Sequence, residues 1–367
     1  MWKLTDNKEW AQLEKAFGWV RDMKNTPQDV RHHAEGDVAI HTQMVLDALN
    51  ELPDYQNLSP ESQEILWAAA LMHDMEKRST TVLENDGRIT SKGHAKKGEF
   101  SARSWLYQNT DTPFEIREQI TKLIRHHGLP VWVFEKPDPQ KAIIKSSFEV
   151  KTDRLGLLAQ ADMQGRICED KDDMMYRVEL FRQYCDELNC LSNPYTFPSA
   201  LARFEYIHKE ERDVSYLPFD DYTNEVTMLA GLPGTGKDTY LQKHFQGAEV
   251  LSLDAIRREL KIKPSDTKAT GFVIQQAKET AKSYLRRKQP FILNATNISR
   301  SIREVWIDLF VSYKAKVNII YLEVPYKQMI SQNKNREHVV PNDVLQRMIS
   351  KLDVPALWEA HEVRYVV

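Results

Sequence analysis

The sequence predicts two domains, an all-α domain over residues 1–220 and an α/β domain with a parallel sheet over 221–367. Three observations predict this. Through the first 200 residues, apolar positions recur at helical spacing. From about residue 225, short β-rich runs alternate with helical segments, the rhythm of a parallel sheet covered by helices. Between them lies "VSYLPFDDYTNE" (214–225), rich in Pro, Asp and Asn. At 367 residues, each half is long enough to bury its own core.

The bulk composition (41% hydrophobic, 28% charged, mean hydropathy −0.55) is that of a soluble globular chain. No run approaches the roughly 18 apolar residues of a membrane span, and "MWKLTDNKEW" lacks the layout of a secretory signal. Three cysteines (Cys168, Cys185, Cys190) form no CxxC pair, which fits a reducing cytoplasm. The net charge of −3 excludes attraction of nucleic acid by the whole molecule, but not by a local basic face.

In the first half, Ile40, Met44, Val45, Ala48 and Leu49 mark one helix. Seven of the eleven histidines fall between His32 and His127, a clustering that favours a site. "ILWAAALMHD" is an apolar helical run ending in His73-Asp74. Ile116, Ile120, Leu123 and His127 share a helical face, so His127 points to the core and His126 does not. Leu155, Leu158, Ala159 and Asp162 likewise place a carboxylate inward, where a metal or an arginine must neutralise it. Residues 168–212 carry no readable chemistry beyond helical packing that joins the halves.

In the second half the runs "EVTMLA", "AEVLSLD", "PFILNAT" and "KVNIIYLEV" read as strands. The first leads into "GLPGTGKDTY", where Gly231, Gly234, Gly236 and Lys237 supply GxxxxGK between strand and helix. There backbone N–H groups cradle a β-phosphate and Lys237 reaches the β/γ oxygens of a nucleoside triphosphate. Asp238 stands where a Mg²⁺-binding hydroxyl is usual. Thr239 supplies that hydroxyl instead, or the ion is held through water and phosphate, or Asp238 itself approaches it. Asp254 ends the next strand with Arg257 one turn on, which makes either a proton acceptor beside a phosphate-gripping arginine or a helix N-cap beside a solvated one. Arg300 and Arg303 open a later helix, and Arg336 lies in a polar stretch that reads as a lid or as plain surface. From Asp254 to Arg303 there are twelve Lys/Arg against four Asp/Glu, a basic face suited to a phosphate backbone.

"GLPGTGKDT", "LSLDAIRREL", "ILNATNISRSIR" and "NKNREHVVP" resemble the four signature segments of the 5′-hydroxyl polynucleotide kinase family, across most of 225–367. The resemblance implies Mg²⁺ and ATP or GTP as cofactors. It implies that Lys237 binds phosphate, Asp254 activates a nucleic-acid 5′-OH, Arg257 holds the acceptor's flanking phosphate and Arg336 stabilises the transferring phosphoryl group, with Arg300 and Arg303 as further acceptor contacts.

The order His…His-Asp…Asp in the first half resembles the HD phosphohydrolase superfamily over roughly 30–170, and "HAEGDVAIHTQMVLDAL" is similar to the HD domain of bacterial tRNA nucleotidyltransferases. This implies His41, His73, Asp74 and Asp162 as core metal ligands, His94 and His127 as those of a two-metal subgroup, His33 as a further ligand or a phosphate contact, and Lys77 as a phosphate contact. Glu76 departs from the usual glycine. One or two divalent transition metals of the Mn²⁺, Ni²⁺ or Co²⁺ type are implied, acting on a phosphoester.

Together the halves resemble the bacterial bifunctional HD-domain polynucleotide kinase/phosphatases of RNA end healing. That implies a cytoplasmic enzyme that phosphorylates 5′-OH ends of RNA or DNA and removes 2′,3′-cyclic, 2′ or 3′ phosphates, with an RNA ligase as functional partner and no membrane. Two alternatives stand beside it: a nucleoside kinase fused to an HD nucleotidase, and a kinase carrying a degenerate HD module.

Overall fold

The computed structural model describes residues 1–262 and 266–367. The chain divides into two compact units, Met1–Thr196 and Phe197–Val367. The division falls ahead of the 220/221 boundary suggested by composition, because the helix Ala200–His208 packs within the second unit through Arg203, which donates to the His361 carbonyl at 2.6 Å. Residues 168–212 thus contain two helices, Lys171–Glu187 in the first unit and Ala200–His208 in the second.

The first unit is built mainly of helices, with one small hairpin of two-residue strands, Val82–Leu83 and Ile89–Thr90. Five helices carry its site: α1 (Val38–Glu51), α2 (Pro60–Met72), α3 (His94–Asn109), α4 (Phe114–His126) and α5 (Thr152–Gln164). Asp37 caps α1 by accepting the Ile40 N–H, and Ser59 caps α2 with Pro60 at its first position. Every residue of α2 from Glu64 to Met72 is buried, so this helix is the centre of the bundle. On α1 the inward stripe runs Val38, His41, Thr42, Val45 and Leu49, whereas Ile40 is 44% exposed. The helix is where spacing puts it, but its buried face is rotated because His41 and Thr42 point inward. At the end of α5, a Cβ on Gly165 would lie 2.7 Å from the Val45 backbone nitrogen, so glycine there lets α5 come up against α1.

The second unit is a five-stranded parallel sheet. Its strands are β1 (Asn224–Ala230), β2 (Val250–Ser252), β3 (Phe291–Asn294), β4 (Ala315–Leu322) and β5 (Glu362–Val366), in the order β2-β3-β1-β4-β5. β5 is a strand that the sequence rhythm did not single out. Central β1 is apolar through Val226, Met228, Leu229 and Ala230, as a strand covered on both faces must be. Helix α6 (Lys237–His244) follows β1, and α7 (Leu253–Glu259) follows β2. α8 (Thr267–Arg286) leads to β3, and α9 (Arg300–Ser312) leads from it to β4. All five strands run the same way, so their carboxyl ends form one ligand edge. No helix among the described residues is long and apolar enough to cross a membrane.

Candidate functional site

In the first unit, His41 projects from α1, His73 and Asp74 follow the C-terminus of α2, His94 starts α3, His127 follows α4 and Asp162 projects from α5. These six expected residues converge as two adjoining sets, His41 with His73 and Asp162, and Asp74 with His94 and His127. Asp74 spans both: Oδ2 lies 3.2 Å from His73 Nε2 and 3.7 Å from His41 Nε2, and Oδ1 lies 3.3 Å from His94 Nε2. His94 and His127 bring their Nε2 atoms to 3.2 Å.

The other ring nitrogens explain this orientation. Nδ1 of His73 meets the Ala70 carbonyl at 2.7 Å, that of His94 the Ser91 carbonyl at 2.7 Å, and that of His127 the Ile124 carbonyl at 2.8 Å. Each carbonyl is three residues back, so a histidine at a helix boundary bonds its own turn. With Nδ1–H donated outward, the Nε2 lone pair faces inward, the form in which imidazole ligates metal. Nε2 of His41 and of His73 and both oxygens of Asp74 are buried without an aligned hydrogen-bond partner, although they lie close to one another. Such atoms are costly unless something else satisfies them, and a donor set of imidazoles and carboxylates suits divalent transition metals.

Burial and the nearby His94 and His73 pull His127 down to about 3, and burial lowers His94 against the pull of Asp74, so both imidazoles are neutral. Burial also works against a proton on His73, but the Asp74 and Asp162 carboxylates outweigh it and raise its pKa. Burial would raise Asp74 and Asp162, yet His73 and Lys77 around the first and Arg166 and His41 around the second hold both well below the usual range.

Three further groups complete the cluster. Lys77 Nζ sits 2.7 Å from Asp74 Oδ2, 2.7 Å from Gln28 Oε1 and 3.5 Å from His33 Nε2, so His33 and Lys77 stand side by side at the cluster. Glu35 and Arg166 were not singled out in the sequence. Glu35 is enclosed, and Oε1 meets Nδ1 of His33 at 2.8 Å and of His41 at 2.9 Å, while Oε2 accepts the Ile167 N–H at 2.9 Å. Arg166 grips Asp162 through both carboxylate oxygens at 2.8–3.1 Å. The arginine partner that a buried Asp162 admits is therefore present, and Asp162 Oδ1 also lies 3.1 Å from His41 Nε2, yet the Nε2 atoms of His41 and His73 still face the carboxylates without an aligned hydrogen bond. Glu76 turns its carboxylate to Ser79, Arg78 and Lys97 instead of to the cluster.

In the second unit, Gly231, Gly234 and Gly236 take φ of 143°, 82° and 84°, conformations that glycine adopts without a Cβ penalty and that let the loop turn tightly between β1 and α6. A Cβ on Gly231 would run into the Leu322 carbonyl oxygen of β4. Lys237 Nζ folds across the loop onto the Gly231 and Leu232 carbonyls at 2.9 and 2.8 Å. Burial lowers Lys237 to about 8, against Asp238 and Asp254, which raise it, and with Arg336, which lowers it further. Asp254 and Arg336, far apart in sequence, are therefore both close enough to act on Lys237. The Asp254 carboxylate is 67% exposed, 3.3 Å from Arg257, and leaves capping of α7 to Ser252. Asn333 pins the stretch after Arg336 by bonding both ways with Val340, at 2.9 and 3.2 Å. Asp238 accepts an amide N–H from Asn294 at 2.8 Å, and Thr239 beside it is also exposed.

Two expected acceptor contacts are placed otherwise. Arg303 is fully buried, paired with both oxygens of Glu359 at 2.7 and 2.9 Å and donating to the Asn297 and Asp353 carbonyls. Arg300 reaches Glu359 at 3.2 Å and stacks over Trp358. Arg303 is a structural post, and no acceptor phosphate can reach it. Glu359 lies 56 residues downstream, with no spacing signal to announce the pair. In the basic stretch, Val273, Ala277, Ala281 and Leu285 form the inward stripe of α8, while Arg286, Arg287 and Lys288 are exposed. Lys263 lies outside the described residues.

Residues 226–355 match the family model described as an AAA domain. A multifunctional CCA protein of Methylococcus capsulatus is 31% identical over 117 residues, 32% of this chain and 25% of that protein. An L-seryl-tRNA(Sec) kinase of Methanococcus maripaludis is 25% identical over 136 residues, 35% of this chain and 52% of that protein. The chain thus spans between a quarter and about half the length of these curated relatives. A chain of the Pnkp1/Rnl/Hen1 complex aligns with 36% of this chain and 44% of its own length, at 14% identity and a TM-score of 0.28. The matched residues, the parallel sheet and the glycine-rich loop at its carboxyl edge together make the second unit a P-loop kinase-like α/β domain.

Proposed function

We propose that the chain heals broken RNA ends: the second unit moves a phosphoryl group from a nucleoside triphosphate to a polynucleotide 5′-OH, and the first removes a 2′,3′-cyclic, 2′ or 3′ phosphate. The observation that carries this reading is the presence on one chain of two sets of phosphoester chemistry, a phosphate loop with Asp254 and Arg336 acting on its lysine and a cluster of inward Nε2 atoms around Asp74. One relative, an L-seryl-tRNA(Sec) kinase, acts on an RNA by its name, which is in keeping with RNA as the polymer.

At the kinase centre Lys237 and the loop N–H groups hold the β- and γ-phosphates, with Mg²⁺ alongside. Asp254, exposed at the ligand edge, accepts the proton as the 5′-oxygen bonds to the γ-phosphorus and the bond to the diphosphate breaks. Arg257 grips the acceptor's phosphate, and Arg336 offsets the charge on the transferring group.

At the second centre His41, His73 and Asp162 would hold one divalent metal ion, and Asp74, His94 and His127 another. When bound, such ions activate water and neutralise phosphoryl oxygens. His33 and Lys77 orient the phosphate, and Glu35 keeps His33 and His41 turned the right way.

The test is an RNA oligonucleotide with a 5′-OH and a 2′,3′-cyclic phosphate, given ATP or GTP, Mg²⁺ and Mn²⁺, with both ends read by mass spectrometry. Asp254→Ala should lose 5′ phosphorylation by about 10²- to 10⁴-fold and keep conversion of the cyclic end. Asp74→Ala should do the reverse. If either folded variant loses both activities, the division of labour is wrong. Faster phosphorylation of free nucleosides than of the oligonucleotide would make it a small-molecule kinase.

A further inference from the structure

Phosphate loops of the GxxxxGK type ordinarily hold Mg²⁺ with the hydroxyl after the lysine and with an acid at the end of a neighbouring strand. This chain lacks the hydroxyl, and the acid that follows neighbouring β4, Glu323, is buried and accepts the Tyr321 hydroxyl at 2.6 Å. The residue after Lys237 is the acid Asp238, and β3, paired in parallel with the loop's own strand through Leu229 and Asn294, ends in the amide Asn294. The two side chains meet: Asn294 Nδ2 donates to Asp238 Oδ1 at 2.8 Å.

We propose that acid and neutral group have exchanged places, so that Asp238 is the cation-side carboxylate of the nucleotide site and Asn294 is the positioning residue that aims it. The proposal rests on the nucleotide-binding reading of the loop. Either arrangement carries one negative charge across the pair, so the demand on the cation is kept while its source moves from strand to helix. Asn294 spends its N–H on Oδ1. Asp238 Oδ2 is left with no hydrogen-bond partner among the described residues, on an exposed side chain at the first turn of α6. Thr239 does not replace the missing hydroxyl, because one residue further on it is turned about 100° around the helix axis, away from β3.

The exchange has a consequence that a hydroxyl would not. A bare carboxylate beside the phosphate-binding lysine repels a triphosphate until a cation stands between them. Nucleotide affinity should therefore depend steeply on divalent cation. A bond that merely tied α6 to β3 would leave cation affinity indifferent to the charge at 238.

The experiment titrates Mn²⁺, followed by electron paramagnetic resonance, into the full chain with a non-hydrolysable ATP analogue, and measures analogue binding with and without cation. Asp238→Asn should weaken Mn²⁺ binding about 10- to 100-fold, while cation-free binding of the analogue stays equal or tightens. Asp238→Thr should weaken Mn²⁺ binding similarly, and the double variant Asp238→Thr/Asn294→Asp should regain most of the loss. Unchanged Mn²⁺ affinity in Asp238→Asn, or full affinity in Asp238→Thr alone, would overturn the proposal with the nucleotide reading intact. A wild-type chain that binds no analogue at all would remove the nucleotide reading itself, and the proposal with it.

Discussion

Glu35 illustrates what single residues decide in the first unit. Its carboxylate faces two imidazoles at 2.8 and 2.9 Å, so it fixes which nitrogen of His33 and His41 carries the proton. Glu35→Gln offers one carbonyl oxygen and a competing donor, and should weaken binding of Co²⁺ or Mn²⁺ about 10- to 100-fold with little change in fold. The check is a metal titration followed by the visible spectrum of the Co²⁺ form. Glu35→Asp should recover part of the affinity, whereas a purely structural Glu35 would show a lower melting temperature and unaltered metal binding. Glu35 was invisible in the sequence because a buried carboxylate in a loop has no periodicity. His127 and Asp162 were legible because each closes an apolar stripe on a regular helix.

Elements explain why some expected roles moved. Helix α9 was expected to turn Arg300 and Arg303 to the acceptor, but its Arg303 face is locked to Glu359. Arg303→Ala should therefore destabilise the second unit by about 3–5 kcal/mol, because it strands a buried carboxylate. Thermal melts with and without Glu359→Gln test this, and the double variant should be less unstable than the sum of the singles. Within the second unit, acid lability should come from His361, just ahead of β5. Its Nδ1 accepts the Val317 N–H at 3.1 Å and its ring stacks on Phe204. Burial, helped by Lys316 and His208, lowers its pKa to about 4. The unfolded chain binds that proton near 6.5, so stability is full above about pH 6.5 and is lost as pH falls towards 4, costing about 2 kcal/mol at pH 5. Melting curves should show His361→Asn less stable at pH 7 but flatter in pH, since the amide oxygen still accepts from Val317 and does not titrate.

For the molecule as a whole, the two centres should part company under chelation. Dialysis against EDTA should abolish conversion of the cyclic phosphate, and Mg²⁺ should restore 5′ phosphorylation but not the other activity, which needs Mn²⁺, Co²⁺ or Ni²⁺. Equal rescue of both by Mg²⁺ would argue against an imidazole-rich second centre.

Most of what is local was legible in the sequence. Glycine spacing after an apolar strand announces a phosphate loop because only glycine takes those φ angles. The change of hydrophobic rhythm near residue 225 announces a parallel sheet. The helical stripes of α4 and α5 point His127 and Asp162 inward. Among the matters that needed the tertiary structure are the rotation of α1 that buries His41 in place of Ile40, the commitment of Arg303 to Glu359, and the meeting of Asp238 with Asn294. The reason is the same in each case. Periodicity tells which face of an element is apolar, but a polar side chain can be buried as long as a partner answers it. That partner stands on another element, 56 residues away for both Arg303 and Asp238 and more than a hundred for His41 and Asp162.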